Sequence, residues 1–123
     1  MKGLNRAIGS YGEELATNYL LKKGYVLLDK NYRNRYGEID LIFKFKDIII
    51  FIEVKSRYNT LYGLPKESVT YFKQKRILSL CNYYIISKNL SNYNCRFDVI
   101  EIYFNNINND FKINHLEDSF RGY

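Results

Sequence analysis

The sequence has no tryptophan, one proline, one histidine and two cysteines, and these shortages exclude several classes of protein. Cys81 and Cys95 cannot form the disulfide framework of a small secreted domain, and their spacing does not match a zinc site. The lone His115 cannot supply a histidine metal cluster or support a Ser/His/Asp or Cys/His catalytic arrangement. We therefore expect both cysteines to be reduced core residues of a cytoplasmic protein, and His115 to be structural.

Long apolar runs and linkers are also missing. The longest apolar run, residues 48–52, is too short to span a membrane, and the polar first ten residues do not match a signal peptide. No Pro- or Ser-rich linker and no internal repeat divides the chain. The sequence thus predicts one domain over residues 1–123 with no membrane segment.

Positive charge is abundant, with 19 Lys and Arg against 13 Asp and Glu, a net charge of +6. A basic surface favours polyanions, chiefly nucleic acid, because binding releases condensed counterions. A basic protein without a polyanionic partner would have the same balance, so charge alone leaves both readings open.

Apolar periodicity predicts an α/β domain with a mixed central sheet and helices packed on it. The predicted order is α-β-β-β-α-β, with helices at 6–23 and 68–87 and strands at 25–29, 37–43, 48–55 and 95–104. Gly24 is the predicted stop of the first helix, and Lys46-Asp47 the hairpin turn. The unbroken apolar start of the third strand predicts a central strand covered on both faces.

The remaining segments are predicted as connections. Residues 31–36 form a basic loop or turn, residues 58–65 the clearest loop and residues 105–110 a surface turn. The tail, residues 111–120, keeps enough apolar side chains to pack back on the body.

Helical wheels predict which side chains face the sheet. The predicted inner arc of the first helix contains Ile8, Tyr11, Leu15, Ala16, Tyr19 and Leu20. The predicted inner arc of the second helix contains Val69, Phe72, Ile77, Leu80 and Tyr84, with Lys73 and Arg76 inside it.

Two strands carry a candidate metal site. Glu53 and Lys55 are two residues apart, so a strand projects them from one face, and the hairpin brings Asp40 alongside Glu53. Adjacent carboxylates repel unless a cation lies between them or one is protonated, and Mg²⁺ prefers oxygen ligands. Taken alone, Glu53 and Lys55 also fit an ordinary solvent-exposed ion pair.

The helices add two candidates. Glu13 lies at the edge of the first apolar arc and can reach the sheet, whereas Glu14 points to solvent. Lys73 lies within the second arc, where it could meet a phosphate or merely extend past the core edge. Glu13 could equally be an ordinary boundary charge.

Basic residues with interleaved tyrosines suit phosphate contacts and base stacking. The candidates for nucleic-acid binding are Lys73, Arg76, Arg57, Arg33 and Arg35, near Tyr32, Tyr36, Tyr58 and Tyr62.

Several segments resemble the YraN family of predicted endonucleases, over residues 9–120. The stretches that carry the resemblance are GE at 12–13, GEIDLI at 37–42, FIEVKSR at 51–57, G-x-P at 63–65, Lys73, RFDV at 96–99 and HL at 115–116. That family is similar to the restriction-endonuclease-like, PD-(D/E)xK group, which includes archaeal Holliday junction resolvases. Two positions depart from the pattern: Ile39 where proline is common, and Ser56 where we expect threonine.

The resemblance implies a catalytic set of Asp40, Glu53, Lys55 and Glu13. Asp40, Glu53 and Glu13 would hold Mg²⁺ or Mn²⁺, and the substrate would be DNA. The sequence therefore favours a metal-dependent endonuclease on structured or branched DNA. A non-catalytic nucleic-acid-binding module and an interaction protein for a DNA repair or recombination partner are the alternatives. A homodimer would suit two-fold symmetric junctions, but no feature of the sequence decides the oligomeric state.

Overall fold

A computed structural model describes residues 2–58, 71–105, 108 and 110–119, with side chains from residue 9 in the first range and residue 72 in the second. Its elements are α1 (Lys2–Lys22), β1 (Val26–Asn34), β2 (Gly37–Phe45), β3 (Ile48–Arg57), α2 (Tyr71–Ser87), β4 (Asn94–Phe104) and β5 (Phe111–Leu116). The strands form one sheet in the order β1-β2-β3-β4-β5. Only β3 and β4 pair in parallel, so the predicted mixed α/β fold is confirmed. Neither described helix is long and apolar enough to cross a membrane.

The central position predicted for β3 is also confirmed. Ile49 and Phe51 belong to the core under α2, while Ile50 and Ile52 belong to the core under α1. Because alternate residues of a strand point to opposite faces, an apolar run with both parities fills both cores. The charged end of β3 then emerges between the two helices.

Both helices end in the same way. At Gly24 (φ 90°), Tyr25 N donates to Leu20 O at 3.1 Å and Gly24 N to Leu21 O at 3.0 Å. Glycine takes this left-handed conformation without a Cβ clash, which is why the predicted stop at Gly24 holds. Asn89 (φ 58°) closes α2 with the equivalent bonds.

The predicted elements were wrong in two places, because one strand was missed and another was predicted too short. The tail does not merely pack back, because Phe111–Leu116 pairs with β4 as a fifth strand. The basic segment is not wholly a loop, because β1 continues to Asn34 and only Arg35 and Tyr36 form the turn. In both cases pairing with a neighbouring strand, rather than the local sequence alone, determines the strand. The loop at 59–65, the start of the second helix at 68–70 and parts of the turn at 105–110 lie outside the described residues.

Some predicted core positions were also wrong. Phe72 is 78% exposed and Tyr11 is about half exposed. Cys81 is buried as expected, but Cys95 is exposed, and both thiols are free. A helical wheel assumes that one face of a helix is covered along its whole length, which does not hold at Tyr11 of α1 or at Phe72 in the first turn of α2.

Candidate metal and nucleic-acid site

Asp40 and Glu53 lie where the hydrogen-bonded ladder between β2 and β3 ends. The last pair is Leu41 with Ile52, so Asp40 and Glu53 occupy the next facing positions. Asp40 Oδ2 accepts a hydrogen bond from Val54 N at 2.8 Å. Glu53 Oε2 is buried and has no hydrogen-bond partner among the described residues. A buried carboxylate oxygen without a donor is costly, which makes it a candidate ligand for a cation.

Asn31 connects the strands to α1. It has a left-handed backbone (φ 51°) between the pairs Lys30–Leu41 and Tyr32–Ile39, opposite Asp40. With its amide nitrogen turned toward the acids, it donates to Glu13 Oε1 at 3.1 Å and to Glu38 Oε1 at 3.0 Å. One neutral side chain therefore holds an acid of α1 beside an acid of β2.

The side-chain alternation of β2 breaks at Asp40. Ile39 packs in the core under α2, whereas Leu41 packs in the core under α1, although both have the same parity. Asp40 therefore lies between the two faces of the sheet. This position explains how it interacts both with Glu13, on α1, and with Glu53, whose strand neighbour Phe51 faces α2.

We call Glu13, Glu38, Asp40 and Glu53 the acidic cluster. Burial raises the pKa of Asp40, the bond from Val54 N opposes part of that rise, and Glu13, Glu53 and Glu38 add to it, giving about 6. Burial and the nearby Glu38 also raise the pKa of Glu13, although Asn31 and Lys30 partly offset this. Asp40 and Glu13 are thus harder to ionise, in part because other carboxylates lie near them.

Two lysines adjoin the acidic cluster. Lys73 Nζ, from α2, lies 3.5 Å from Glu53 Oε1. Lys55 follows Glu53 by two residues, so it projects from the same face of β3 and is half-buried there. The structure therefore brings four of the sequence-predicted residues (Glu13, Asp40, Glu53 and Lys73) into one region, with Lys55 beside them.

A cleft of about 340 Å³ opens beside the acidic cluster, between the β1–β2 turn and α2. Its walls are Tyr36, Gly37, Glu38, Phe72, Lys73, Arg76, Ile77 and Leu80. We call this the cleft.

The candidate nucleic-acid-binding residues divide around the cleft. Lys73 and Arg76 line it directly. Arg33 and Arg35 flank it on the hairpin, where Arg33 pairs with Glu38 at 3.0 Å and Arg35 lies over the ring of Tyr36. Arg57 does not reach it, because it is four residues beyond Glu53, about 13 Å further along β3.

A second charged group surrounds Asp98, which is fully buried on β4. Arg96 donates to both of its oxygens at 2.9 Å, His115 Nε2 to Oδ2 at 2.8 Å, and Asp118 N to Oδ1 at 2.9 Å. Burial alone would raise the pKa of Asp98, but the bonds from His115 and Arg96 outweigh it, so the pKa is lowered. We call these residues the Asp98 network.

The Asp98 network also meets a geometric criterion for metal binding. Ligand atoms of Asp98, His115 and Glu117 all lie within 4.8 Å of one another, which no trio of the acidic cluster achieves within the described part of the chain. However, the Arg96 guanidinium already supplies positive charge there, and it also pairs with Glu117 at 3.2 Å. Acids rather than cations dominate the electrostatic surroundings of Asp40, so the acidic cluster fits a hard cation better despite its wider spacing.

Sequence reasoning missed Asn31 and Glu38 as members of the site. In the sequence, Glu38 stands out only as part of the GEIDLI stretch, and Asn31 only as part of the basic loop. Asparagine tolerates the left-handed region better than most residues, so an Asn facing an acidic strand was the one available signal.

Comparison with known proteins identifies the relatives of this chain. A family model described as "Uncharacterised protein family UPF0102" matches residues 12–102. A UPF0102 protein of Clostridium beijerinckii is 53% identical over 121 residues, covering 98% of both chains. A UPF0102 protein of Clostridium tetani is 50% identical over 121 residues, covering 98% of this chain and 99% of the relative. One from Clostridioides difficile is 50% identical over 116 residues, covering 94% and 98%.

Proposed function

The chain belongs to the uncharacterised protein family UPF0102, and from its acidic cluster we propose that it is a divalent-metal-dependent endonuclease of structured or branched DNA. The observation that carries the proposal is the convergence of Glu13, Glu38 and Glu53, from α1, β2 and β3, on the half-buried Asp40. Acids that repel one another around a half-buried carboxylate cost stability unless a cation neutralises them, which supports a bound cation.

The residues present fit a hard cation. Glu13, Asp40 and Glu53 would hold Mg²⁺ or Mn²⁺, which take carboxylate oxygens and keep several waters. The buried Oε2 of Glu53 supports this assignment because nothing else described satisfies it. When bound, such a cation lowers the pKa of a coordinated water and stabilises charge on a phosphate oxygen.

The lysines supply the complementary charge. Lys55 would orient the attacking water and stabilise negative charge that develops on the phosphate. Lys73 would hold a phosphate oxygen near Glu53, since its ammonium already lies 3.5 Å from that carboxylate. We propose further that the fold is related to the restriction-endonuclease-like group, which is supported by Asp40, Glu53 and Lys55 lying on neighbouring strands of a mixed sheet.

The test is a cleavage assay on labelled single-stranded, duplex, flap and four-way-junction DNA, and on RNA, with Mg²⁺ or Mn²⁺. We expect cleavage by the natural chain and at least a 100-fold loss in Asp40→Asn, Glu53→Gln and Lys55→Ala. Removing a direct ligand should exceed the ~10–100-fold effect typical of residues that only support ligands.

Asp47→Asn is the matched control, because Asp47 is an exposed acid in the turn that joins the same two strands. It should cut at the natural rate. If the chain binds these substrates but does not cleave them, the nuclease proposal is wrong and the chain is a nucleic-acid-binding module. Neither binding nor cleavage would favour an interaction protein.

A further inference from the structure

The size of the cleft restricts what can enter it. At about 340 Å³ it is near the lower end of the ~300–1,000 Å³ range of small-ligand sites. That volume accommodates one nucleoside but not a base pair. Duplex DNA, whose major groove alone is ~12 Å wide, can only pass across the opening.

The walls of the cleft have the chemistry that an unpaired nucleotide requires. Phe72 is a large aromatic side chain left 78% exposed at its mouth, and Tyr36 lines the opposite wall. Aromatic rings can stack on any nucleobase, so this contact does not depend on the nucleotide sequence. Lys73 and Arg76 are three residues apart on α2, so they share one face and can follow a phosphate backbone.

The cleft is continuous with the acidic cluster. Glu38 lines the cleft and shares Asn31 with Glu13, and Lys73 joins the cleft to Glu53. A nucleotide seated between Phe72 and Tyr36 would therefore have its backbone beside the carboxylates.

We propose that the cleft binds one unpaired nucleotide, with its base against Phe72 and its phosphate on Lys73 and Arg76. The preferred substrate is then a single strand, or an unpaired stretch at an end or junction, rather than continuous duplex. The cleavage of that substrate rests on the proposed nuclease function, whereas its binding does not.

Fluorescence anisotropy of the full chain without divalent cation tests the binding. The probes are a labelled 20-nucleotide DNA strand, the RNA strand of the same sequence, a forked duplex and a blunt duplex. We expect at least 10-fold tighter binding of a single strand or fork than of the blunt duplex. Preference for either DNA or RNA supports the proposal and identifies the source of the strand, whereas equal or tighter binding of the blunt duplex overturns it.

Variants locate the binding. Phe72→Ala should weaken single-strand binding by about 5- to 100-fold, the range of one lost base-stacking contact. Phe111→Ala is its control, because Phe111 is an exposed phenylalanine on β5 at the opposite edge of the sheet. Arg76→Ala should weaken binding and reduce the salt dependence by about one phosphate contact, unlike Lys112→Ala on β5. No difference between Phe72→Ala and Phe111→Ala overturns the proposal.

The outcomes separate the two proposals. If a single strand binds in a way that depends on Phe72 but is not cleaved in Mg²⁺ or Mn²⁺, nucleotide binding in the cleft is supported and the nuclease function is overturned. Cleavage that prefers continuous duplex and is unchanged in Phe72→Ala supports the nuclease function and overturns nucleotide binding in the cleft. An unchanged melting temperature of Phe72→Ala excludes misfolding as the cause of a loss.

Discussion

The acidic cluster and the Asp98 network surround an aspartate carboxylate with opposite kinds of partner. Asp98 receives four hydrogen bonds from a cationic guanidinium, an imidazole and a backbone amide, which lower its pKa. Asp40 receives one backbone bond and interacts with three other acids, and its pKa rises to about 6. The first arrangement stabilises the fold, while the second stores repulsion that a bound cation would relieve.

The difference shows how acids that stabilise the fold can be distinguished from acids that are proposed to bind a cation. Both aspartates lie on strands and belong to segments that resemble one family, but Asp98 is fully buried and Asp40 is half-buried. Their partners also differ, so matched substitutions in the two regions should have different effects.

The largest difference is expected when the same substitution, aspartate to asparagine, is made at Asp98 and at Asp40. Asp98→Asn turns an amide NH₂ toward the donors of Arg96 and His115, so we expect a loss of about 3–5 kcal/mol in the free energy of unfolding. Asp40→Asn keeps an acceptor for Val54 N and removes repulsion, so the free energy of unfolding should stay equal or increase. Urea denaturation at pH 7 in EDTA measures both. Equal losses would mean that the acidic cluster is also structural.

The second contrast is in pH dependence. The pKa of Asp40 is raised from its ordinary 3.8 to about 6, so the folded state holds this proton more tightly than the unfolded state. Its contribution to stability is therefore present below about pH 4 and is lost as pH rises through 6. At ~1.4 kcal/mol per pKa unit, the loss is at most about 3 kcal/mol.

Melting temperatures between pH 4 and 8 without divalent cation would show this fall, and Asp40→Asn should lack most of it. Asp98 has the opposite sign because its pKa is lowered. Its contribution is present above about pH 4 and is lost under more acidic conditions. If the melting temperature changes alike between pH 4 and 8 in the natural chain and in Asp40→Asn, folding does not raise the pKa of Asp40.

The smallest effect concerns the distance between α1 and the sheet. A Cβ at Gly12 would collide with Ser56 Oγ and come within 3.2 Å of Ser56 Cβ. Gly12→Ala should therefore displace the helix and cost about 1–2 kcal/mol, the overpacking loss less the gain in helix propensity. Gly9→Ala is the control, because nothing lies within 4 Å of its Cβ, and it should stabilise by roughly 0.5–1 kcal/mol.

Gly12→Ala also withdraws Glu13 from Asn31 without removing any charge. If Glu13 holds metal, cleavage should fall in Gly12→Ala and recover in part when Ser56→Ala removes the collision. Full activity in Gly12→Ala would show that Glu13 is not needed. The Asp98 network, which does not depend on this contact, should be unaffected.

Local sequence predicted the hairpin well. Alternation and the turn at Lys46-Asp47 were enough to place Asp40 beside Glu53, and the wheel was enough to bring Glu13 and Lys73 toward the sheet. These features depend on residues near one another in the chain.

The missing parts depend on distant residues. The segment of β5 has only six residues, and it becomes a strand because β4 offers it an edge to pair with. Nothing near Asp98 in sequence reveals that His115, 17 residues later, will donate to it. The left-handed turn of Asn31 depends on acids of β2 and α1 that surround it.

The bond from Val54 N to Asp40 Oδ2 has a consequence for cation selectivity. Because one oxygen already accepts a backbone hydrogen, coordination of the proposed cation by Asp40 would be directed to the other oxygen, and binding through both oxygens would be disfavoured. Ca²⁺ commonly takes carboxylates through both oxygens in a large shell, whereas Mg²⁺ prefers single oxygens in a tight octahedron. In the proposed site, the hydrogen bond from β3 to Asp40 would therefore favour Mg²⁺ over Ca²⁺.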